Sequence, residues 1–351
     1  MSSNIKKKLS EALHNSNNHQ TEEDERLNLL SISNIEDIDT GNENQIYSIA
    51  LNQNGSKAAI GLDSGSLQLF NCYTWERIRK VRTSLSCNLP LVAVKFYPCL
   101  TRDVVFTAGS DGMIKTWNLD SCTLGNTSEE LGNQIMSLDF SNDGAFFATG
   151  GKDACVRLYD SDTLTLYRSY KGSNHFDIDS FNMLSEIPGH SQKVFSVKFL
   201  PDDKNLFITA SWDRKLKVWD LRLKNAVKSI SGPFVCGDGL DVSHNTILTA
   251  SWVKEDALQL WDFSSGRLIS NLDFQKNNGG GEYLYCCRFW NDKFVIAGGS
   301  GTNDLKLINI ISNKVVDFLN ALYPVQCIEV FQKHELLLCG TSRNFLRAKV
   351  F

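Results

Sequence analysis

The chain lacks most of the features that would place it in an easily named chemical class. No apolar run reaches the roughly 18 residues that a membrane-spanning helix needs. Positive charge is not in excess: 36 Lys and Arg stand against 40 Asp and Glu, which argues against a generic affinity for nucleic acid. The six histidines are scattered, without the paired spacing of a zinc site. Ten cysteines are present (72, 87, 99, 122, 155, 236, 286, 287, 327 and 339), yet none forms CxxC. Most sit inside apolar, strand-like runs such as KDACVRLYD, where a thiol behaves as a small buried hydrophobe. The N-terminal residues have no apolar stretch of secretory-signal length, and Glu11 follows KKK at 6–8 too soon for an acid-poor transit peptide. A reducing compartment, cytoplasm or nucleus, is therefore expected. With only six prolines, extended Pro-rich linkers are also excluded.

What is abundant is internal repetition. One unit recurs: an alternating strand, a polar turn, an apolar strand ending in small residues, a short turn, and a strand ending in an aromatic or aliphatic residue. The clearest copy is KVFSVKFLPDDKNLFITASWDRKLKVWDL at 193–221. Phe70, Trp117, Tyr159, Trp219, Trp261, Ile308 and Val350 close the seven units in turn. Their steps of 47, 42, 60, 42, 47 and 42 residues match the ~40–45 typical of four-stranded repeats. Segments such as AVKSISG and LISNLDF supply a fourth strand.

One such sheet cannot bury both faces, but seven arranged radially bury each other's. The expected fold is all-β: a single seven-bladed β-propeller of four-stranded antiparallel blades. The small-residue runs (AIG, TAG, TGG, TAS, AGG) fall where neighbouring sheets would crowd. The last unit stops at Phe351 without a fourth strand, while RLNLLSISNI at 26–35 has strand character. That N-terminal strand is expected to complete the last blade, because an unpaired edge there would be exposed. The propeller then spans 25–351, behind a polar tail at 1–24 in which Ile5, Leu9 and Leu13 fall at helical spacing. The 60-residue step places an insertion at about 171–188, containing Phe176, Phe181 and Met183. Either LTLYRSY or NMLSEI could be the outer strand of blade three.

Over about residues 26–351 these repeats resemble the WD-repeat family. Gly189-His190, Ser211, Asp213 and Trp219-Asp220 carry the family's full pattern once, in blade four. The resemblance implies a structural hydrogen-bonded tetrad of His190, Ser211, Asp213 and Trp219. It also implies protein binding on the narrow face, through the residue before the small inner-strand residue and the one before the turn Asp. Carried over, the first set is Tyr47, Val92, Met136, Phe195, Asp238, Tyr285 and Gln326. The second is Ser110, Lys152, Trp212 and Trp252. This aromatic-rich ring has the composition of interface hot spots, although some members could instead pack as blade core.

Evidence for chemistry is thin. Ser, His and Asp in blade four have the tetrad's spacing, with no GxSxG nucleophile elbow. NNGGGE at 277–282 lacks the GK[ST] ending of a phosphate cradle. RIRKVR at 77–82 reads as a charged edge strand. The WDLR run at 219–222 resembles a box by which some WD-repeat proteins dock on a cullin-type ubiquitin ligase adaptor, which would use Asp220 and Arg222. The expected protein is a non-catalytic scaffold or adaptor for protein or peptide partners, with substrate receptor of such a ligase as the alternative. No cofactor, metal, nucleic acid or membrane is expected, and the chain should be monomeric alone but part of a larger complex.

Overall fold

Inner strands that alternate apolar and polar residues, with small residues on the strands beside them, can stack only around a common axis. That is how the chain folds. The structure, a computed structural model, describes residues 30–41, 45–83, 88–99, 103–119, 121, 123–171, 188–274 and 281–351. The tail at 1–24, the insertion residues Phe176, Phe181 and Met183, and NNGG at 277–280 lie outside the described residues. The strands form seven four-stranded antiparallel sheets. Blade four shows the plan: inner strand Val194–Phe199, then Leu206–Ser211, Lys215–Asp220 and the outer strand Ala226–Ser231. Each inner strand touches those of the blades on either side, and the first touches the last, so the ring is closed.

The core is divided in the same way. Seven separate hydrophobic clusters occur, each built from two consecutive blades, including one shared by blades seven and one. Small residues at the ends of the second strands let the next blade approach. A Cβ added at Gly150 would stand 2.6 Å from Val194 Cγ1, and one at Gly298 would stand 2.6 Å from Val325 Cγ1. Neither distance is compatible with a side chain, so these glycines set the spacing of the sheets.

The N-terminal strand closes the ring. Among the described residues Ile32–Ile38 pairs with the third strand of blade seven, from Ile32 opposite Val350 to Ile38 opposite Phe345. It shares 32–35 with the expected segment and runs three residues further, while 26–29 lie outside the described residues. The outer strand of blade three is Leu166–Tyr170, so LTLYRSY is the one that pairs. The outer strand of blade three therefore ends at Tyr170, ahead of the insertion in sequence. Blade seven needs a correction. The ladder puts Ala348 opposite Leu337, the rung that Trp219 occupies opposite Phe207, so Ala348 and not Val350 holds the Trp position. The residue at that rung is small, so no bulky side chain marks the register there.

Candidate functional site

The hydrogen-bonded group of blade four is built on Thr209, which corrects the expectation for Ser211. Trp219 Nε1 donates to Thr209 Oγ1 at 2.8 Å, and Thr209 Oγ1 lies 2.6 Å from His190 Nε2. His190 Nδ1 lies 2.8 Å from Asp213 Oδ2. With the imidazole neutral and Nδ1 protonated, every donor in this row has one acceptor. Burial lowers the His190 pKa below its ordinary value even though Asp213 opposes the shift. Burial also pushes Asp213 up, but His190, the Ser191 amide and Lys217 together outweigh this and hold the carboxyl below its ordinary value. Ser211 instead donates to the Gln192 carbonyl at 3.0 Å and accepts from the Asp213 amide at 3.2 Å.

Trp117 with Thr107 and Trp261 with Thr249 repeat the indole–threonine bond in blades two and five, at 3.0 and 3.1 Å. Blade three replaces the histidine with a buried acid that the sequence reading missed. Glu130 accepts from Thr149 at 2.5 Å, Tyr159 at 3.1 Å, Asn133 at 2.6 Å and Arg157 at 2.9 Å. Tyr159 at the Trp position was the available signal, since a phenol hydroxyl donates from a different point than an indole N–H and so calls for an acceptor placed elsewhere. Thr209→Val leaves both His190 Nε2 and Trp219 Nε1 unpaired in the core. It should lower stability by about 2–4 kcal/mol in urea unfolding; an unchanged midpoint would remove Thr209 from the tetrad.

All seven residues carried over for the inner-strand set meet at one place. Tyr47, Val92, Met136, Phe195, Asp238, Tyr285 and Gln326 line a single cavity of about 160 Å³ among the inner strands. The backbone explains why. In blades one, two, three, four, six and seven the ladder skips one residue at this position, for example between Val194 and Ser196. The skipped residue is the extra one of a β-bulge, freed from pairing and re-aimed by the local twist. Blade five differs: its inner strand begins only at Leu240, and Asp238 reaches the cavity from the preceding loop.

The second set does not line the cavity but borders it from the turns on the same face. Trp212 is half-buried and packs on Phe195 at 4.9 Å between ring centroids and on Phe234 at 6.0 Å. Trp252 is 41% exposed and lies 5.2 Å from Tyr283. Lys152 is exposed, and Ser110 is half-buried. Asp238 is not a free acid, because the Arg288 guanidinium bonds to its carboxylate. Burial pushes the Asp238 carboxyl up, but Arg288, Lys95 and Lys198 together outweigh this and hold it below its ordinary value. Its contribution to stability is therefore complete above the ordinary Asp value, near 3.9, and is lost as pH falls through the lower folded value. Asp220 and Arg222 stand at the opposite ends of the strands from the cavity mouth. Arg222 Nε and Nη2 grip the two carboxylate oxygens of Asp220 at 2.8 and 2.6 Å.

Below the bulges runs a belt that no single repeat reveals. The residue three places after each bulge position occupies one rung in all seven inner strands: Ala50, Lys95, Asp139, Lys198, Asp241, Arg288 and Glu329. Charge alternates around the ring. Lys95 lies 3.7 Å from Asp139, and Lys198 lies 3.0 Å from Asp241. Asp139 and Asp241 each accept the amide of the following blade, Phe199 at 2.8 Å and Phe289 at 2.9 Å. Burial works against the Lys198 ammonium, but Asp241, Asp139 and Asp238 together outweigh it and keep the group protonated above the ordinary lysine range. Glu329 adds to the pull that Asp238 exerts on the buried Arg288. Strict alternation cannot close on an odd number, and the neutral Ala50 stands where two like charges would otherwise meet.

Among the described residues, no group of three or more His, Cys, Asp or Glu is placed to hold a metal ion. The family model described as "WD domain, G-beta repeat" matches residues 125–160 and 181–220, in blades three and four. A protein of Arabidopsis thaliana, "Cell division cycle 20.5, cofactor of APC complex", is 24% identical over 277 residues, 76% of this chain and 56% of its own length. "Protein tipD" of Dictyostelium discoideum is 26% identical over 171 residues, 48% of this chain and 22% of its own. The chain thus spans about half the length of the first relative and about a fifth of the second.

Proposed function

Because this chain is a WD-repeat propeller, with seven blades closed by its own N-terminal strand, we propose that it is a non-catalytic scaffold that holds protein or peptide partners on the face carrying the bulge residues. The observation that carries this reading is the convergence of six bulge side chains, several of them aromatic, and the loop residue Asp238 on one cavity mouth. A rigid ring of strands positions them, and a partner side chain can enter without any rearrangement of the blades. The Arabidopsis relative is named a cofactor of a complex, which supports a role as one subunit among several. The described cysteines are free thiols, which suits work in the cytoplasm or nucleus.

Phe195 and Trp212 are the pair to test. They stack on each other, and neither belongs to the hydrophobic clusters on either side of blade four. Removing both should therefore leave the melting temperature within a few degrees while partner capture falls at least about tenfold, as expected for hot-spot aromatics. Affinity purification with wild type and with the Phe195→Ala/Trp212→Ala variant measures both. Retained capture by the folded variant would dismiss this face as the interface; a collapse of stability would make the pair core.

A second reading, docking on a cullin-type ligase adaptor, rests on Arg222, whose side chain is 68% exposed. Its guanidinium is already held by Asp220, so an adaptor would have to use its remaining donors. Co-purification of the adaptor, lost in Arg222→Ala, tests it.

A further inference from the structure

Aromatic rings on the cavity-bearing face are covered by cations in a consistent way. Lys193 Nζ sits 4.8 Å above the Trp212 ring, and Arg214 Cζ sits 5.2 Å above Phe234. Across the ring, Arg343 lies 5.0 Å over Tyr323. Lys152, Lys215 and Lys254 add exposed positive charge in the turns of blades three to five. Two of the nearby acids are paired with cations, Asp153 with Arg157 and Asp238 with Arg288, and the Asp213 side chain is buried against the neutral His190. This quadrant is thus cationic on a chain whose net charge is −4.

From this juxtaposition we propose that the partner is an acidic peptide segment with one large apolar side chain. The apolar residue enters the mouth beside Phe195, and its flanking carboxylates lie over Lys193 and Arg214. This rests on the interaction-face reading above and adds the chemistry of what is held. Three physical reasons favour it. A cation lying flat on an aromatic ring is attracted by the ring's negative face and carries its charge over apolar surface. An incoming carboxylate then meets a desolvated, pre-positioned partner, while an incoming lysine or arginine meets a like charge. A methylated-lysine cage is disfavoured for the same reason, since Lys193 already covers Trp212. A nucleic acid backbone is disfavoured too, because the exposed Glu255 and Asp256 in the blade-five turn interrupt the positive surface a continuous polyanion requires.

The test begins with a random peptide display library selected on the full chain, with the Phe195→Ala/Trp212→Ala variant as the counter-selection. Enriched sequences should carry net negative charge around a single Leu, Ile, Phe or Trp. The best synthetic peptide should bind at least about tenfold more weakly to the Lys193→Glu/Arg214→Glu variant, and also when NaCl is raised from about 50 to about 300 mM. Neutral or basic enriched peptides, or no enrichment over the counter-selected variant, would overturn the proposal. So would equal competition by a single-stranded oligonucleotide. The two readings separate cleanly: binding lost in the aromatic variant but indifferent to Lys193 and Arg214 keeps the face and rejects the acidic partner. Binding that persists in the aromatic variant rejects the face itself.

Discussion

A chain shortened to begin at residue 40 should unfold on the order of 10 °C below the full-length protein and with lost cooperativity, whereas one beginning at residue 25 should match it. The strand Ile32–Ile38 is the only outer strand of blade seven, and it is covalently part of the other end of the ring. Ile32 packs in the cluster between blades six and seven, and Ile38 in the one between blades seven and one. Burying two isoleucines contributes about 3–6 kcal/mol, a large share of the roughly 5–15 kcal/mol by which a domain is stable. Polar links add to this: Ile32 N donates to Asp317 of blade six at 2.7 Å, Asn344 donates to Asp37 at 2.9 Å, and Glu36 pairs with Arg347. Truncation would also leave Phe345–Val350 as an open edge, so soluble yield should fall with stability. Calorimetry of the two truncated chains decides the matter. Equal melting temperatures would mean that the ring holds without its clasp.

The seven-part ring was legible because its evidence is periodic. Each repeat by itself is ambiguous, but the recurring strand pattern and spacing agree seven times. The cavity residues were legible for a related reason, since a bulge residue always precedes the small residue that packs under the next blade. The failures share a different origin. Thr209 and Ser211 are two residues apart on one face of a strand, and only the backward lean of the Trp219 indole selects Thr209. Ala348 and Val350 are likewise two apart, with no bulky side chain to mark the register. Glu130 stands where blade four carries His190, so a search for the Gly-His motif passes over it. The belt went unseen because each charge looks like an ordinary polar position until all seven inner strands are laid in register.

The odd number of blades gives the belt a property that can be tested at its neutral place. Ala50 is followed by Lys95 in the next blade and preceded by Glu329 in the last. A charge of either sign introduced there stands beside a like charge on one side. At a separation near 8 Å and an effective dielectric near 20, that repulsion is about 2 kcal/mol. The attraction to the opposite neighbour offsets part of it, but an ionised group at this buried rung also loses its hydration. Ala50→Glu and Ala50→Lys should both fall below Ala50→Gln, which carries similar bulk without charge, by about 1–3 kcal/mol in urea unfolding. Reversal at an occupied place should cost more. Lys198→Glu sets acids at three successive places, with Asp139 before and Asp241 after. It leaves the two carboxylates that hold the amides of Phe199 and Phe289 with only Lys95 and Arg288 as counter-charges. A loss of about 3–5 kcal/mol is expected, and Lys198→Glu combined with Asp241→Lys should recover part of it, because one opposite pair is restored. If the glutamate and lysine variants at Ala50 match glutamine, and the double reversal recovers nothing, the alternation is coincidental. Blade packing alone would then fix the order of the ring.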